Sequence, residues 1–441
     1  MLSDPIAALA TPPGRSALAV VRLSGEGAFR IAARVVPSFG LVPRQAQLAR
    51  FLGADGSTID RGIYTVFPAP HSYTGEDTVE FSCHGGLMAP ARLLEALHVA
   101  GARPAAPGEF TRRAVLNGRL DLVQAEAVGD LIDATAPAQA YAALSQLEGG
   151  LSRRIAELRT ALVELQALLS YDIDFPDEDD GPVPRERIVA ALDDVASRID
   201  RLLASAPAGE RLHDGALVVL AGRPNAGKSS LFNALLGTDR ALVTEIPGTT
   251  RDAIEAHTSF LGWPVRLVDT AGLRAADERI ERMGVEVSRR WLGAADLVLL
   301  CAESGRFLDE EETGLAVDYP TILARTKSDL AQAANGSGIA VSALTGEGLH
   351  AIRSAIAERI FGGRLGLRDL EAGLSRARHR EAFQRAHDAL AEARPHLAPG
   401  GDAVLASHQV RMATLALDEL VGVVDVEEVL ERIFGTFCVG K

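Results

Sequence analysis

Cysteine is scarce: Cys83, Cys301 and Cys438 are the three in 441 residues, too few and too scattered for a disulfide framework or a repeated C-x-x-C metal spacing. A reducing, cytoplasmic setting is expected. Long apolar runs are also missing, so no stretch spans a bilayer, and the opening MLSDPIAAL carries acid rather than base and has no cleavable hydrophobic core. Neither export nor membrane insertion is expected. Basic residues are the minority, 45 Lys and Arg against 59 Asp and Glu, for a net charge of −14. Broad, charge-driven nucleic-acid binding needs clustered cations to neutralise phosphates, so any RNA contact must be local or shared with a partner. The chain is too long for one core and suggests roughly two to four domains.

What is present changes character along the chain. Residues 1–117 alternate short apolar runs (IAALA, ALAVVRL, IYTVF, TVEFSC) with turn-rich pieces, plus helical stretches near Ala28–Val36 and Leu87–Ala100, which reads as an α+β domain. Its charges gather at Arg22, at Glu76, Asp77 and Glu80, and at Arg103, Glu109 and Arg119; isolated charges of this kind are most often solvated. Residues 118–212 show helical periodicity, with Leu151, Ile155, Leu158, Leu162, Leu165 and Leu169 on one stripe, and then the acidic loop Asp177–Asp180 set among prolines. Residues 213–364 alternate strands with helices (ALVVLAG, VRLVDT, DLVLLCAE, TILART, GIAVSA), the pattern of a doubly wound domain with a mainly parallel sheet. Residues 365–441 return to helices. Their last two apolar segments would be unstable alone and are expected to pack on the first helical stretch, making the α/β domain an insertion into a discontinuous helical bundle.

The densest chemistry lies in ALVVLAGRPNAGKSS, Ala216–Ser230. An apolar strand breaks at Gly222, and Gly227, Lys228 and Ser229 follow at the spacing of a phosphate-binding P-loop. Lys228 would reach the β- and γ-phosphates, Ser229 would ligate Mg²⁺, and the helix from Ser229 to Leu236 would aim its positive end at the anion. Downstream, VRLVDTAGLR puts Asp269 at a strand end, where it can hold Mg²⁺ through water, and Gly272 where its N–H can sense a γ-phosphate. EIPGTTRD offers Thr249 or Thr250 as a second hydroxyl to Mg²⁺. In TKSD, Lys327 and Asp329 end another strand; a carboxylate there can accept from guanine N1–H and its 2-amino group, a donor pair that adenine lacks. Ser342 and Ala343 in VSALTGEGL fall beside the same base. Four elements in the correct order point to a GTPase.

With these motifs the chain resembles the translation-factor-like GTPases and, within them, the bacterial tRNA-modifying GTPases of the TrmE-Era-EngA-like family. The resemblance runs the full length and rests on TPPGRSALAVVRLSG, HSYTGEDTVEFSCHGG, RPAAPGEFTRRAVLNGRLDLVQAEAVGDLIDA, IDFPDEDD, GRPNAGKSS, EIPGTTRD, DTAGLR with ERIERMG, and the terminal FCVGK. It implies a multidomain α/β and α+β protein: a tetrahydrofolate-binding-like N-terminal domain, a discontinuous helical bundle, and an inserted Ras-like G domain. GTP contacts are implied at Asn225, Ala226, Gly227, Lys228, Ser229 and Ser230; at Thr244, Glu245, Ile246, Pro247, Gly248, Thr249 and Thr250; at Asp269, Thr270, Ala271 and Gly272; and at Thr326, Lys327, Asp329, Ser342 and Ala343. Ser229 and Thr250 match Mg²⁺ ligands, while Asn225 and the loop at Thr244, Ile246 and Thr249 match K⁺ ligands. That K⁺ would do the work of an arginine finger in a GTPase activated by G-domain dimerisation. Glu281 matches the carboxylate that orients the attacking water through another water; a surface charge on a switch helix is its bland alternative. Leu273 stands where many GTPases hold a glutamine.

In the N-terminal domain the resemblance implies a tetrahydrofolate derivative, 5-formyl or 5,10-methylene, with Glu80 on the pterin's amino edge and Arg22 and Arg119 on polar parts of the cofactor. Lys441 would approach the same pocket. Also implied are a homodimer, a flavin-dependent partner, MnmG (GidA), and the aminomethyl or carboxymethylaminomethyl group these proteins install together on the wobble uridine of certain tRNAs. Cys438 has the look of a catalytic thiol, though a nucleophile on a tail needs a cationic neighbour such as Lys441. Two departures stand out. Thr326 replaces an asparagine whose amide would brace the loop and contact the base, and Arg119 stands where the family can use Lys. The connection from Glu303 to Tyr319 is also short. The competing readings are a ribosome-assembly or signalling GTPase switch, which would normally carry a basic RNA-binding appendage, and a folate enzyme with a merely structural nucleotide.

Overall fold

The computed structural model describes residues 4–174, 183–237, 254–269, 290–330, 337–362, 373–422, 433–435 and 437–440. The acidic loop Asp177–Asp180 lies outside them. The chain divides into two compact units, residues 1–129 with 418–441, and residues 130–417.

The first unit contains β1 (Ile6–Leu9), β2 (Leu18–Ser24), α1 (Ala28–Val35), β3 (Gln47–Leu52), β4 (Thr58–Phe67), β5 (Thr78–His84), α2 (Met88–Val99), β6 (Arg103–Pro104) and α3 (Glu109–Leu116); α4 (Leu122–Asp133) begins in it. The strands form one sheet in the order β3-β4-β5-β2-β1-β6, antiparallel except for β1 beside β6. Period-two alternation sorts its faces. Val21, Leu23, Val79, Phe81, Tyr64 and Phe51 point to one side and are buried with α1 and α2. On the other side stand Arg22 and Glu80, directly opposite one another, and the exposed cross-strand pair Leu48 and Ile63.

The second unit holds α5 (Pro137–Leu147), α6 (Gly150–Asp174), α7 (Arg185–Asp214), β7 (Ala216–Ala221), α8 (Lys228–Leu236), β8 (Ile254–Phe260), β9 (Trp263–Asp269), β10 (Leu297–Glu303), α9 (Glu310–Asp318), β11 (Thr321–Thr326), β12 (Ile339–Ala340), α10 (Leu349–Phe361), α11 (Ala377–His396) and most of α12 (Ala403–Val421). All six leucine and isoleucine positions of the helical stripe on α6 are buried, and both α6 and α11 pack on α7. Helical residues before and after the inserted α/β domain therefore meet through α7 and α11, the helix that precedes the two apolar segments expected to make this contact.

That inserted domain is a six-stranded sheet in the order β12-β11-β10-β7-β9-β8, with every neighbouring pair parallel except β8 and β9. The five strands expected from sequence are all present. The sixth, β8, is added by a two-residue hairpin whose Leu261 and Gly262 both have positive φ, +52° and +89°. Such turns normally announce themselves with Asn-Gly or Asp-Gly, and a leucine here gives no signal. Between β10 and β11 the short connection still accommodates α9, capped by the Asp309 carboxylate accepting from Glu312 N–H at 2.8 Å.

Candidate functional site

In the second unit, Gly222 leaves β7 with φ +131°, and a Cβ there would lie 2.2 Å from the Cys301 carbonyl of β10, so only glycine passes. Asn225 and Gly227 also have positive φ, +62° and +83°, which curls the chain before α8. Gly227 is the N-cap of α8 and no side chain caps its first turn, so the helix presents backbone donors to an anion. Lys228 is 7% exposed and donates from Nζ to the Gly222 and Arg223 carbonyls at 2.8 and 2.7 Å. Ser229 follows it at the helix start. Asp269 ends β9 beside β7 and is 1% exposed. A hydroxyl at the start of the helix that follows β7 and a buried carboxylate at the end of the adjacent strand fit a hard cation that keeps water and phosphate in its shell.

Beside the loop lies a cleft of about 230 Å³ lined by Gly227, Ser230, Thr326, Lys327, Asp329 and Ala343, among others. Its floor is held by backbone turns. Lys327 adopts φ +57° with its ammonium paired to Glu303, and Ser328 N–H donates to the Val341 carbonyl at 3.3 Å. Ser342 is fully buried; its carbonyl and hydroxyl accept from the N–H groups of Gly346 and Thr345, which fixes the turn that presents Ala343. Asn225, Ala226, Gly227, Lys228, Ser229, Ser230, Asp269, Thr326, Lys327, Asp329, Ser342 and Ala343 are thus all at the carboxyl ends of the central strands, on the loops that follow them or in the first turn of α8. Thr244, Glu245, Ile246, Pro247, Gly248, Thr249, Thr250, Thr270, Ala271, Gly272 and Glu281 lie outside the described residues. Thr326, expected to lose the brace of an asparagine amide, does brace the loop: it donates from Oγ1 to the Ala226 carbonyl at 2.7 Å.

In the first unit, Arg22 and Glu80 form an ion pair, Nη2 to Oε1 at 2.7 Å, and the guanidinium lies over the rings of Tyr73 and Phe110, 5.5 and 5.6 Å from their centroids. Burial pushes the Tyr73 phenol up, against a hydrogen bond with Thr111. The chain terminus comes to the same place. Val439 bridges to Pro107, Gly108 N–H reaches the Cys438 carbonyl at 3.4 Å, and Arg22 Nη1 reaches the Gly440 carbonyl at 3.4 Å. Arg119 packs its stem on the turn at Gly75, where a Cβ would meet its Cγ at 3.2 Å, two residues from Tyr73. Lys441 lies outside the described residues. Cys438 is exposed, whereas burial drives the Cys83 and Cys301 thiols up to about 11 and about 12.

Several of the charges expected to be solvated are not. Arg113, 1% exposed, bonds to Asp4, Glu76 and Glu109, and Arg103 joins Asp4 and Glu109 from the other side. Burial alone would raise the Glu109 carboxyl, but bonds from Arg103, the Ala106 N–H and Arg113 outweigh it and hold it down to about 2. This network anchors the start of α3, on which the C-terminal residues dock. Arg113 carried no sequence signal beyond being one of two adjacent arginines.

A P-loop, a buried aspartate on the next strand and a base-sized cleft at the ends of a parallel sheet define a P-loop nucleotide hydrolase domain. The MnmE helical domain model matches residues 122–438, and the GTP-binding protein TrmE N-terminus model matches residues 5–119. The tRNA modification GTPase MnmE of Thermus thermophilus is 45% identical over 447 residues, covering 100% of this chain and 99% of that protein. The protein of that name from Chloroflexus aurantiacus is 41% identical over 455 residues, covering 100% of each. Among solved structures, the G domain of the T. maritima FeoB iron transporter is 32% identical over 33% of this chain and 98% of that one, with a TM-score of 0.26. The chain belongs to the MnmE family of tRNA modification GTPases, and so is a GTP hydrolase acting in tRNA modification.

Proposed function

We propose that this protein is a K⁺-activated GTPase whose G domains dimerise and which, with a flavin-dependent partner of the MnmG (GidA) kind, builds the aminomethyl or carboxymethylaminomethyl group on the wobble uridine of certain tRNAs. The observation that carries the GTPase half is the cleft in which Asp329 stands on the wall shared with Gly227 and Ser230, so base and phosphate contacts fall within one nucleotide's length. Ser229 and Thr250 would hold Mg²⁺, with Asp269 behind them through water. Asn225, with the backbone at Thr244, Ile246 and Thr249, would hold K⁺. These cations supply positive charge where negative charge develops on the phosphates. Glu281 would orient the attacking water and Lys228 would hold the β- and γ-phosphates.

The folate half rests on the Arg22–Glu80 pair. A carboxylate already held by a guanidinium, beside two aromatic rings and a docked chain end, suits a pterin's amino edge, with Arg22, Arg119 and Lys441 left for the polar parts of a 5-formyl- or 5,10-methylene-tetrahydrofolate. Two copies pairing through the first unit would cover its open row, Leu48 and Ile63, 62% and 41% exposed. Among the described residues no helix is long and apolar enough to cross a membrane. We place the protein in the cytoplasm.

The test is GTP turnover in K⁺ against Na⁺ at equal ionic strength, with the state of G-domain association followed in parallel, for the intact protein and for Glu281→Ala. A K⁺-specific gain accompanied by association is expected, with Glu281→Ala binding GTP normally and turning over at least about a hundredfold slower. Equal rates in both salts would remove the K⁺ site, and unchanged turnover in the variant would remove Glu281 from the mechanism.

A further inference from the structure

The base loop and the phosphate loop are tied by one buried bond. Thr326 ends β11, opposite Glu303 of β10, and is 4% exposed; its carbonyl accepts from Ser304 N–H at 2.8 Å, so its backbone is held against β10. Its hydroxyl donates to the Ala226 carbonyl at 2.7 Å. That carbonyl shares a peptide plane with the Gly227 N–H, and in a trans peptide the two point in opposite directions. Holding the carbonyl toward β11 therefore turns the Gly227 N–H the other way. A Cβ at Gly227 would lie 3.6 Å from the Thr326 Cβ, so the Thr326 side chain stands directly against the loop at this point.

A hydroxyl has a single proton. At Thr326 that proton is committed to Ala226, and none remains for the base. Guanine presents two acceptors, O6 and N7, besides its donors N1–H and the 2-amino group. Asp329 can serve only the donors.

We propose that Thr326 is a positioning residue that sets the Gly227 N–H for the phosphates, and that position 326 leaves guanine N7 unread. The inference rests on the guanine-nucleotide reading of the cleft. It predicts a split between phosphate binding, which depends on the hydroxyl, and base discrimination, which does not.

The test is calorimetric binding of GDP, inosine diphosphate, 7-deaza-GDP and ADP to the full chain and to Thr326→Val and Thr326→Ser. Thr326→Val removes the proton at nearly constant shape and leaves the Ala226 carbonyl without its buried partner, so GDP affinity should fall about ten- to a hundredfold. Thr326→Ser should stay within about threefold of the parent. The ratio of GDP to inosine diphosphate affinity, which reports Asp329, should be the same in parent and Thr326→Val. The parent should bind 7-deaza-GDP within about threefold of GDP. Unchanged GDP affinity in Thr326→Val, a loss that falls on the GDP-to-inosine-diphosphate ratio, or strong rejection of 7-deaza-GDP by the parent would each overturn the inference. Equal binding of ADP and GDP by the parent would instead overturn the guanine reading beneath it, so the two failures are separable.

Discussion

Gly440→Ala should undock the chain terminus from the Arg22–Glu80 site, the proposed place of the folate. Gly440 has φ +101°, outside the left-handed helical well that asparagine and aspartate can share, and its ideal Cβ would stand 2.3 Å from the Leu9 carbonyl and 3.0 Å from the Ala10 Cα. Neither neighbour can yield, because Leu9 is in β1 and paired with Val21. The backbone conformation alone costs about 1–2 kcal/mol for a residue with a Cβ. Contact with a carbonyl at that distance adds more than the bonds holding the last residues return, since those at Gly108–Cys438 and Arg22–Gly440 are both long, 3.4 Å. Phe434, 3% exposed and packed on Leu122 and Ala125, should stay in place, so the loss is confined to the final few residues. If Lys441 approaches the cofactor, 5-formyl-tetrahydrofolate should bind the variant at least about tenfold more weakly, as 1.4 kcal/mol corresponds to a factor of ten. Calorimetric titration of the intact protein measures this, with GDP affinity as the control because the P-loop belongs to the other compact unit. Parental folate affinity with the terminus released, read by carboxypeptidase sensitivity, would refute the claim that the docked end belongs to the site.

Two further expectations follow from titratable side chains. His213, at the C-terminal turn of α7, is pushed up to about 9 by hydrogen bonds to Asp130 and then Asp214, with burial and Arg376 opposing. A folded value above the ordinary 6.5 means stabilisation present below pH 6.5 and lost as pH rises through 9, at most on the order of 3 kcal/mol. Hydrogen exchange across α7 and β7 should therefore accelerate between pH 7 and 9.5 after correction for intrinsic chemistry, and His213→Gln should flatten that dependence; a parental profile matching the variant's would dismiss it. Among the cysteines, Cys438 alone is exposed, so iodoacetamide at pH 7.5 should label Cys438 and leave Cys83 and Cys301 intact by mass spectrometry. Labelling of Cys83 in the native protein would contradict its burial.

Glycine carried most of what the sequence disclosed about the nucleotide site. Gly222 and Gly227 sit where the backbone needs positive φ or close approach, and spacing between such residues survives folding because it is local. The stripe from Leu151 to Leu169 was legible for the same reason: one helix sets its own period. Contacts between distant segments left no comparable mark. Arg113 meets Asp4, 109 residues away, and the Thr326 hydroxyl meets Ala226, 100 residues away, through pairings that only the sheets establish. At position 326 the departure from asparagine was visible, but its consequence was not: sequence showed a missing amide, and the register of β11 against β10 placed a hydroxyl where it could still reach the loop. Leu261 in a hairpin turn hid β8 by breaking the residue preference that normally marks such turns.

The P-loop's carbonyls are held by side chains of the loop's own lysine and of β11, and this bears on what nucleotide affinity measures. Lys228 bonds to Gly222 and Arg223, and Thr326 bonds to Ala226, so three of the loop's carbonyls are engaged by side chains. Pro224 has no N–H, so the peptide after Arg223 offers the lysine an acceptor and takes no donor from the phosphate cradle. Ordering the loop is consequently a cost met largely on folding rather than on binding. A phosphate must still compete for the Lys228 ammonium with two carbonyls at 2.7–2.8 Å, so the charge attraction counts only as a difference between the two sets of bonds. Thr326 is not asked to make that exchange. Its bond to Ala226 involves neither the lysine nor the two carbonyls that the lysine engages, so on the proposal above the hydroxyl fixes the direction of the Gly227 N–H while the lysine supplies the charge.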